Sequence, residues 1–203
     1  NKIMKKTIRH SLVVMAMLGV ITSYANLTPT IPLNDNVKTT ILKLDDVREG
    51  QRLFIKSKNG TILYRESISK TGGYQKEFDL TSLPNGNYFF EIEKDVEIQI
   101  IPFSVSSNTV EFSKEDKVTI FKPMIRVVDN KLFVSKLTLD LKPMTLEIYY
   151  DDPNSSTYER IYSETIENTK TIERIYALDK NLPGTYKVVT KSEGRVYTQI
   201  FSI

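Results

Sequence analysis

The chain contains no cysteine and no tryptophan, and its single histidine is His10. Each absence removes a class of chemistry. Without cysteine there is no disulfide to staple the fold and no thiolate nucleophile, so stability must come from buried apolar surface. His10 lies in a segment expected to be cut away. The remaining chain then lacks the parts for a Ser-His-Asp or Cys-His relay and for the usual zinc sites. Carboxylate pairs alone suffice for glycoside hydrolysis, but every acidic pair here falls in a turn or on the outward side of an expected strand. The expectation is therefore no enzyme and no cofactor.

Long apolar runs are also missing. The one candidate, Leu12 to Ile21, has ten residues, whereas a helix needs roughly 20 to cross a bilayer. It follows Met4, Lys5, Lys6 and Arg9, and it is followed by Ser23, Tyr24 and Ala25. A basic head, a short apolar middle and small residues at the third-last and last positions form a signal peptide cut after Ala25. The expected organisation is a signal peptide at 1–25, a first domain at 26–105 and a second at 106–203. No membrane insertion is expected after cleavage, and with no cysteine behind the cut no lipid anchor of the lipoprotein kind is available. The protein is expected in the periplasm, at the cell surface or outside the cell.

Removing that segment changes the charge. The whole chain carries 28 basic and 25 acidic residues, and the four basic residues Lys2, Lys5, Lys6 and Arg9 leave with the signal. What remains has 24 and 25, a formal charge of −1. The basic isoelectric point is thus partly a property of the leader, and no nucleic-acid partner is expected.

What the chain does have is a repeat. "LPNGNYFFEIE" (Leu83 to Glu93) returns as "LPGTYKVVT", so that Gly86 and Tyr88 match Gly184 and Tyr186 at an offset of 98 residues. At the same offset "LYRESI" (Leu63 to Ile68) lies over "IYSETI" (Ile161 to Ile166), and Phe103-Ser104 lies over Phe201-Ser202. Upstream the offset is 93, with Leu53 and Ile55 over Leu146 and Ile148. The five-residue difference fits a longer loop, Asp151 to Thr157, in the second copy. Self-similarity of this kind means two units with one order of elements.

Each copy reads as short strands. Apolar residues recur every second position: Tyr88, Phe90 and Ile92 face one way, and Glu91 and Glu93 the other. Hairpin turns are expected at Asn59-Gly60, at Ser192 to Gly194 and, on a weaker signal, at Asp129-Asn130. Val105 to Thr109 reads as a polar break between the copies. About seven strands per copy give an all-β fold of two tandem immunoglobulin- or fibronectin-like antiparallel sandwiches.

The spacing Leu80, Gly86, Tyr88, repeated as Leu178, Gly184, Tyr186, resembles the corner between strands E and F of those domains. There a tyrosine early in strand F returns its hydroxyl to the loop backbone. The resemblance implies structural roles for Tyr88, Tyr186, Gly86 and Gly184. In cadence, "NKLFVSKLTLDL", "LEIYYDD" and "LPGTYKVV" make the chain similar to tandem immunoglobulin-like domains of secreted Bacteroidetes proteins. The last third also resembles the C-terminal sorting domain of type IX secretion, although it lacks the basic tail of many such domains.

Two clusters are candidates for binding. Asp151, Asp152 and Asn154, with Ser155, offer hard oxygens for calcium, but their spacing is not that of an EF-hand and the same residues are ordinary turn formers. No metal is expected, these being the residues a calcium ion would use. Tyr149, Tyr150, Tyr158 and Tyr162 surround the same loop and form a candidate aromatic patch for an unidentified protein or a surface glycan. Strand alternation sends about half of them into the core. The leading function is a non-catalytic binding, structural or adhesion module. The alternatives are a small secreted passenger with a sorting domain and a periplasmic pilus-type chaperone, for which "VEIQIIPFSV" offers alternating apolar residues for strand addition.

Overall fold

A computed structural model describes residues 39–113, 115–151, 157–179 and 182–203. The signal-peptide expectation, and Asp152, Asn154 and Ser155 of the calcium expectation, lie outside the described residues. The β pattern forms strands throughout: β1 (Thr40–Val47), β2 (Arg52–Ser57), β3 (Ile62–Ser67), β4 (Gly72–Phe78), β5 (Gly86–Glu93), β6 (Glu97–Ser106), β7 (Thr109–Phe112) and β8 (Val118–Phe121) in the first half. The second half holds β9 (Met124–Val128), β10 (Lys131–Leu137), β11 (Met144–Asp151), β12 (Tyr158–Ile166), β13 (Thr171–Ala177), β14 (Thr185–Ser192) and β15 (Arg195–Ser202). Every pairing is antiparallel.

Both halves use one strand order. In the first, β1 pairs β4, and a second sheet runs β3-β2-β5-β6. In the second, β10 pairs β13 with β9 on its other side, and the facing sheet runs β12-β11-β14-β15. A B–E pair facing a C′–C–F–G sheet is the order of an immunoglobulin-like sandwich. Each half fills its own interior. One apolar cluster joins Leu42, Leu53, Leu80, Phe90, Ile101 and Phe103, and another joins Leu132, Val134, Leu146, Ile172, Tyr186 and Val188. Aromatic rings finish both, with Phe90 and Phe103 centred 5.4 Å apart and Tyr186 stacked on Phe201 at 5.8 Å.

The turns follow local chemistry. Gly60 takes φ +85° between β2 and β3, and Glu193 and Gly194 take φ +52° and +71° between β14 and β15. Asp129-Asn130, the weaker signal, forms as tight a turn, at φ +48° and +58°. Asn and Asp tolerate the left-handed region that the right-handed strand twist demands of such turns.

Three sequence readings change. Val105 to Thr109 is no break: Ser107 and Asn108, at φ +50° and +60°, turn the chain back so that Ser106 faces Thr109. The chain then lays β7 and β8 in succession along the outer edge of β6. That covers the edge of "VEIQIIPFSV", so this strand has no free side for strand addition. Glu91, which alternation puts in water, is only 2% exposed because Arg195 of the second half lies over it.

Candidate binding site

At the E to F corner of the first half, Leu80–Ser82 forms one turn of 3₁₀ helix capped by the Asp79 carboxylate, which accepts from the Thr81 N–H. The chain then enters β5, and the Tyr88 hydroxyl donates to the Pro84 carbonyl at 2.7 Å. In the second half the Tyr186 hydroxyl donates to the Leu182 carbonyl at 3.0 Å. Each phenol reaches back four residues and ties the loop to strand F. Gly86 and Gly184 occupy the same place in the two corners but meet different surroundings. A Cβ on Gly86 would touch Tyr88 at an ordinary 3.5 Å, whereas one on Gly184 would come within 2.7 Å of Tyr150.

Beside the first corner the fold leaves a concavity of about 560 Å³. Its wall is aromatic, from Tyr88 and Phe89 on β5, Phe103 on β6 and Phe112 on β7. Its rim carries both signs of charge: Lys58 from the β2–β3 turn, Glu111 from β7 and Asp116 from the β7–β8 loop. β7 exists because the chain folds back at Ser107-Asn108, so the turn read as a break between the copies builds one wall of the recess. That volume is within the range of small-ligand and peptide-anchor pockets, roughly 300–1,000 Å³.

The four tyrosines of the expected patch divide. Tyr149 and Tyr158 share the outward face of the β12-β11-β14 sheet, where the Lys187 ammonium lies 4.5 Å and 4.2 Å from their ring centres. Tyr150 turns the other way, packing on Tyr186 at 5.1 Å and donating to the Pro183 carbonyl at 3.2 Å. Tyr162 stands at the edge of the sandwich, 5.2 Å from Tyr176. Period-two alternation makes this division, since neighbours along a strand cannot share a face. Asp151 ends β11, facing Thr185 on one side and Tyr158 on the other. Among the described residues no group of three or more His, Cys, Asp or Glu side chains converges as a metal site.

A second repeated device was not recognised from the sequence. Glu66 on β3 accepts from the Tyr64 hydroxyl, from the Tyr74 hydroxyl at 3.1 Å and from Lys76 Nζ at 2.5 Å, the last two on β4. Glu164 on β12 accepts from the Tyr176 hydroxyl at 2.7 Å and Arg174 Nε at 2.9 Å, both on β13, and from the Tyr162 hydroxyl at 3.3 Å. β3 and β4 are edge strands of opposite sheets, as are β12 and β13. Each glutamate therefore clamps a seam that no backbone ladder closes. Burial pushes both carboxyls up, but the hydrogen bonds from their cations and phenols outweigh it and hold them below the usual carboxylate range. The signal lay in the repeated Tyr-x-Glu of "LYRES" and "IYSET", with Lys76 and Arg174 at the same offset.

The chain matches no family model and no curated protein. Solved structures align with most of it at low identity. The human OSCAR ligand-binding domain is 11% identical over 86% of this chain and 97% of that one, at a TM-score of 0.25. The BSP domain of a biofilm-associated protein is 13% identical over 87% of this chain but only 29% of that one, at a TM-score of 0.28. A structure showing neurohormone perception by the receptor tyrosine kinase Torso is 11% identical over 88% of this chain and 74% of that one, at 0.19. Likenesses at these scores carry no argument about function. The immunoglobulin-like description rests on the strand order of the chain itself, an all-β fold built twice from antiparallel sheets.

Proposed function

We propose that this is an exported, non-catalytic binding module of the periplasm, cell surface or extracellular space, and that it holds a protein partner in the concavity beside the first corner. The observation that carries the reading is the 560 Å³ recess itself, with an aromatic wall under a rim of both charge signs. Buried aromatic anchors ringed by polar groups are how protein interfaces concentrate their binding energy. A polypeptide suits the rim better than a glycan does, because Lys58 on one side and Glu111 and Asp116 on the other offer complements to both acidic and basic side chains. Adhesion is the use to which such paired sandwiches lend themselves, and a chain without histidine beyond its leader fits a binding role.

The test combines export with capture. N-terminal sequencing of protein recovered outside the cytoplasm should begin at Asn26; a start that retains Leu12 to Ile21 would replace the cleaved form with an anchored one. Surface extract is then passed over the wild-type protein and over Lys58→Glu/Glu111→Lys. Both side chains are exposed, so the variant should melt as wild type does. The expected result is a partner retained by the wild type and lost by the variant. Equal retention by both would move the binding surface elsewhere.

A further inference from the structure

The two halves differ at one edge. In the first, β6 is flanked by β5 on one side and by β7 and β8 on the other. Its equivalent in the second half, β15, pairs only β14 among the described residues. The backbone groups that point outward follow from the ladder. Gly184 and Ile203 exchange both of their hydrogen bonds, so in an antiparallel pair every second residue from Ile203 back to Arg195 bonds β14. Val196, Thr198, Ile200 and Ser202 therefore turn their N–H and C=O groups to the open side.

Open edges are normally protected by charges, proline or bulges. β3 carries Arg65 and Glu66 and a register shift against β2, and β12 carries Glu159, Arg160 and Glu164 and a shift against β11. β1 is shifted at its end, and the short β9 has Arg126 at its centre. From Val196 to Ile203 there is no charge, proline or glycine, and the β14 to β15 ladder is unbroken. Val196 and Ile200 are 63% and 57% exposed. Their neighbours on β14 are Lys191 and Lys187, yet both ammonium groups lean toward β11, Lys191 onto Glu147 at 2.9 Å and Lys187 over Tyr149. The outward face of β15 is left uncharged.

We infer that this edge is a self-association surface, on which a second copy of the chain lays its own β15 antiparallel about a two-fold axis through Thr198. The register is self-complementary. Thr198 faces Thr198 of the second copy, and Val196 faces Ile200 in both directions, so these three residues meet one another and each facing pair exchanges both backbone hydrogen bonds, while Ser202 falls opposite the turn at Gly194. The exposed aliphatic side chains then cover each other on one face, as cross-strand pairs do. Because the edge has no charge, the two-fold axis brings no like charges together. The first half shows the same solution within one chain, where Val105 faces Val110 and Ile98 faces Ile120 across the covered edge. An isologous contact of this kind closes at two copies.

The experiment is sedimentation equilibrium on the whole chain up to on the order of 100 μM, with edge variants alongside. The wild-type mass should climb from 23.3 kDa toward twice that value with concentration. Ile200→Lys should hold it at 23.3 kDa at every concentration with an unchanged melting curve, since the side chain already faces water. The natural chain has no cysteine to interfere with a cross-linking test. Thr198→Cys should oxidise to a covalent dimer. Val196→Cys and Ile200→Cys should each fail alone and cross-link when mixed, as the register requires. A wild type that stays at 23.3 kDa throughout, or a dimer that survives Ile200→Lys, overturns the inference. So does Val196→Cys cross-linking to itself as readily as Thr198→Cys.

Discussion

A methyl group added at Gly184 has to displace the Tyr150 ring, because its carbon would sit 2.7 Å from Cε2. Tyr150 is held by the Tyr186 ring and by its bond to the Pro183 carbonyl, so displacement forfeits packing and a hydrogen bond together. Gly86 has no such neighbour, since the position matching Tyr150 in the first half is Ser57. Gly184→Ala should therefore cost about 1–3 kcal/mol, the usual range for overpacking, and Gly86→Ala only a few tenths by comparison. In a Tyr150→Ser background, which has already lost the ring, the same Gly184→Ala change should cost only about a few tenths. Denaturant titration of the four proteins gives the coupling, and additive losses would refute the steric account. The corner tyrosines are gauged the same way. Tyr88→Phe and Tyr186→Phe each keep the ring and lose one bond to a loop carbonyl. Leu182 is 49% exposed and Pro84 is exposed, so water can take over the carbonyl and the expected cost is about 1 kcal/mol, near the lower end for a lost hydrogen bond. A zero change at both sites would leave these residues as packing alone. Spacing made the corner residues legible. The contact between Gly184 and Tyr150 was not, because it joins positions 34 apart whose side chains meet only once the sheet has formed.

Among the elements, the seams between sheets depend on single carboxylates. Glu66 and Glu164 have folded values lowered from the ordinary 4.5. Such groups contribute stability that is present above the unfolded value and lost as pH falls through the folded one. Stability should thus decline below about pH 4.5. Glu66→Gln and Glu164→Gln should each cost about 1 kcal/mol at neutral pH, a charge-assisted bond discounted for partial exposure. They should also flatten the acid limb, which a urea titration series across pH would read. The alkaline limb has the opposite sign. Burial raises Tyr74 and Tyr176 above their ordinary 10.0, and the bond to Glu66 raises Lys76 above 10.5. The folded state therefore keeps protons that the unfolded chain releases, and stability falls as pH climbs past 10. A profile identical in wild type and both variants would mean the clamps are idle. Strands and most turns were readable from alternation and Asn-Gly signals, which act over a few residues. β7 and β8 were not, since "SSNT" is chemically equal as a linker or as a tight turn, and only the open edge of β6 decides between them. The clamps were visible as a repeated Tyr-x-Glu, but alternation alone assigns such a glutamate to solvent and says nothing of which strand stands across the seam.

For the molecule as a whole, the question is how far the halves depend on each other. Lys122 still belongs to the first, its N–H donating to the Val96 carbonyl and its ammonium to the Lys94 carbonyl at 2.6 Å. Pro123 follows, and β9 opens the second sandwich. The second apolar cluster draws its members from Ile125 onward. Residues 123–203 alone should then unfold in one cooperative transition, while a fragment starting at 106 would carry β7 and β8 without the strand they cover. A broad, non-cooperative melt of 123–203 would show that the second cluster depends on the first half to fold. Among the described residues an ionic knot crosses between them. The buried Glu91 carboxylate accepts from Lys56 at 2.8 Å within its own half and from Arg195 Nη2 at 2.6 Å from the other. Burial works against that charge, but the bonds from Arg195 and Lys56 prevail and lower its folded value below 4.5. The link is therefore intact at neutral pH and weakens as pH falls below that value. Because Lys56 stays in place, Arg195→Ala leaves Glu91 paired and should spare the melting of either half while freeing their relative orientation. The readout is chymotryptic cleavage after Phe121, at the end of β8 beside the connection. Cleavage should be slow in wild type and fast in Arg195→Ala at pH 7, and wild type should stay slow as pH is lowered until the lowered folded value of Glu91 is crossed. If Arg195→Ala is cut no faster than wild type at pH 7, the orientation of the halves is set by the short connection itself and the knot serves only to neutralise a buried carboxylate.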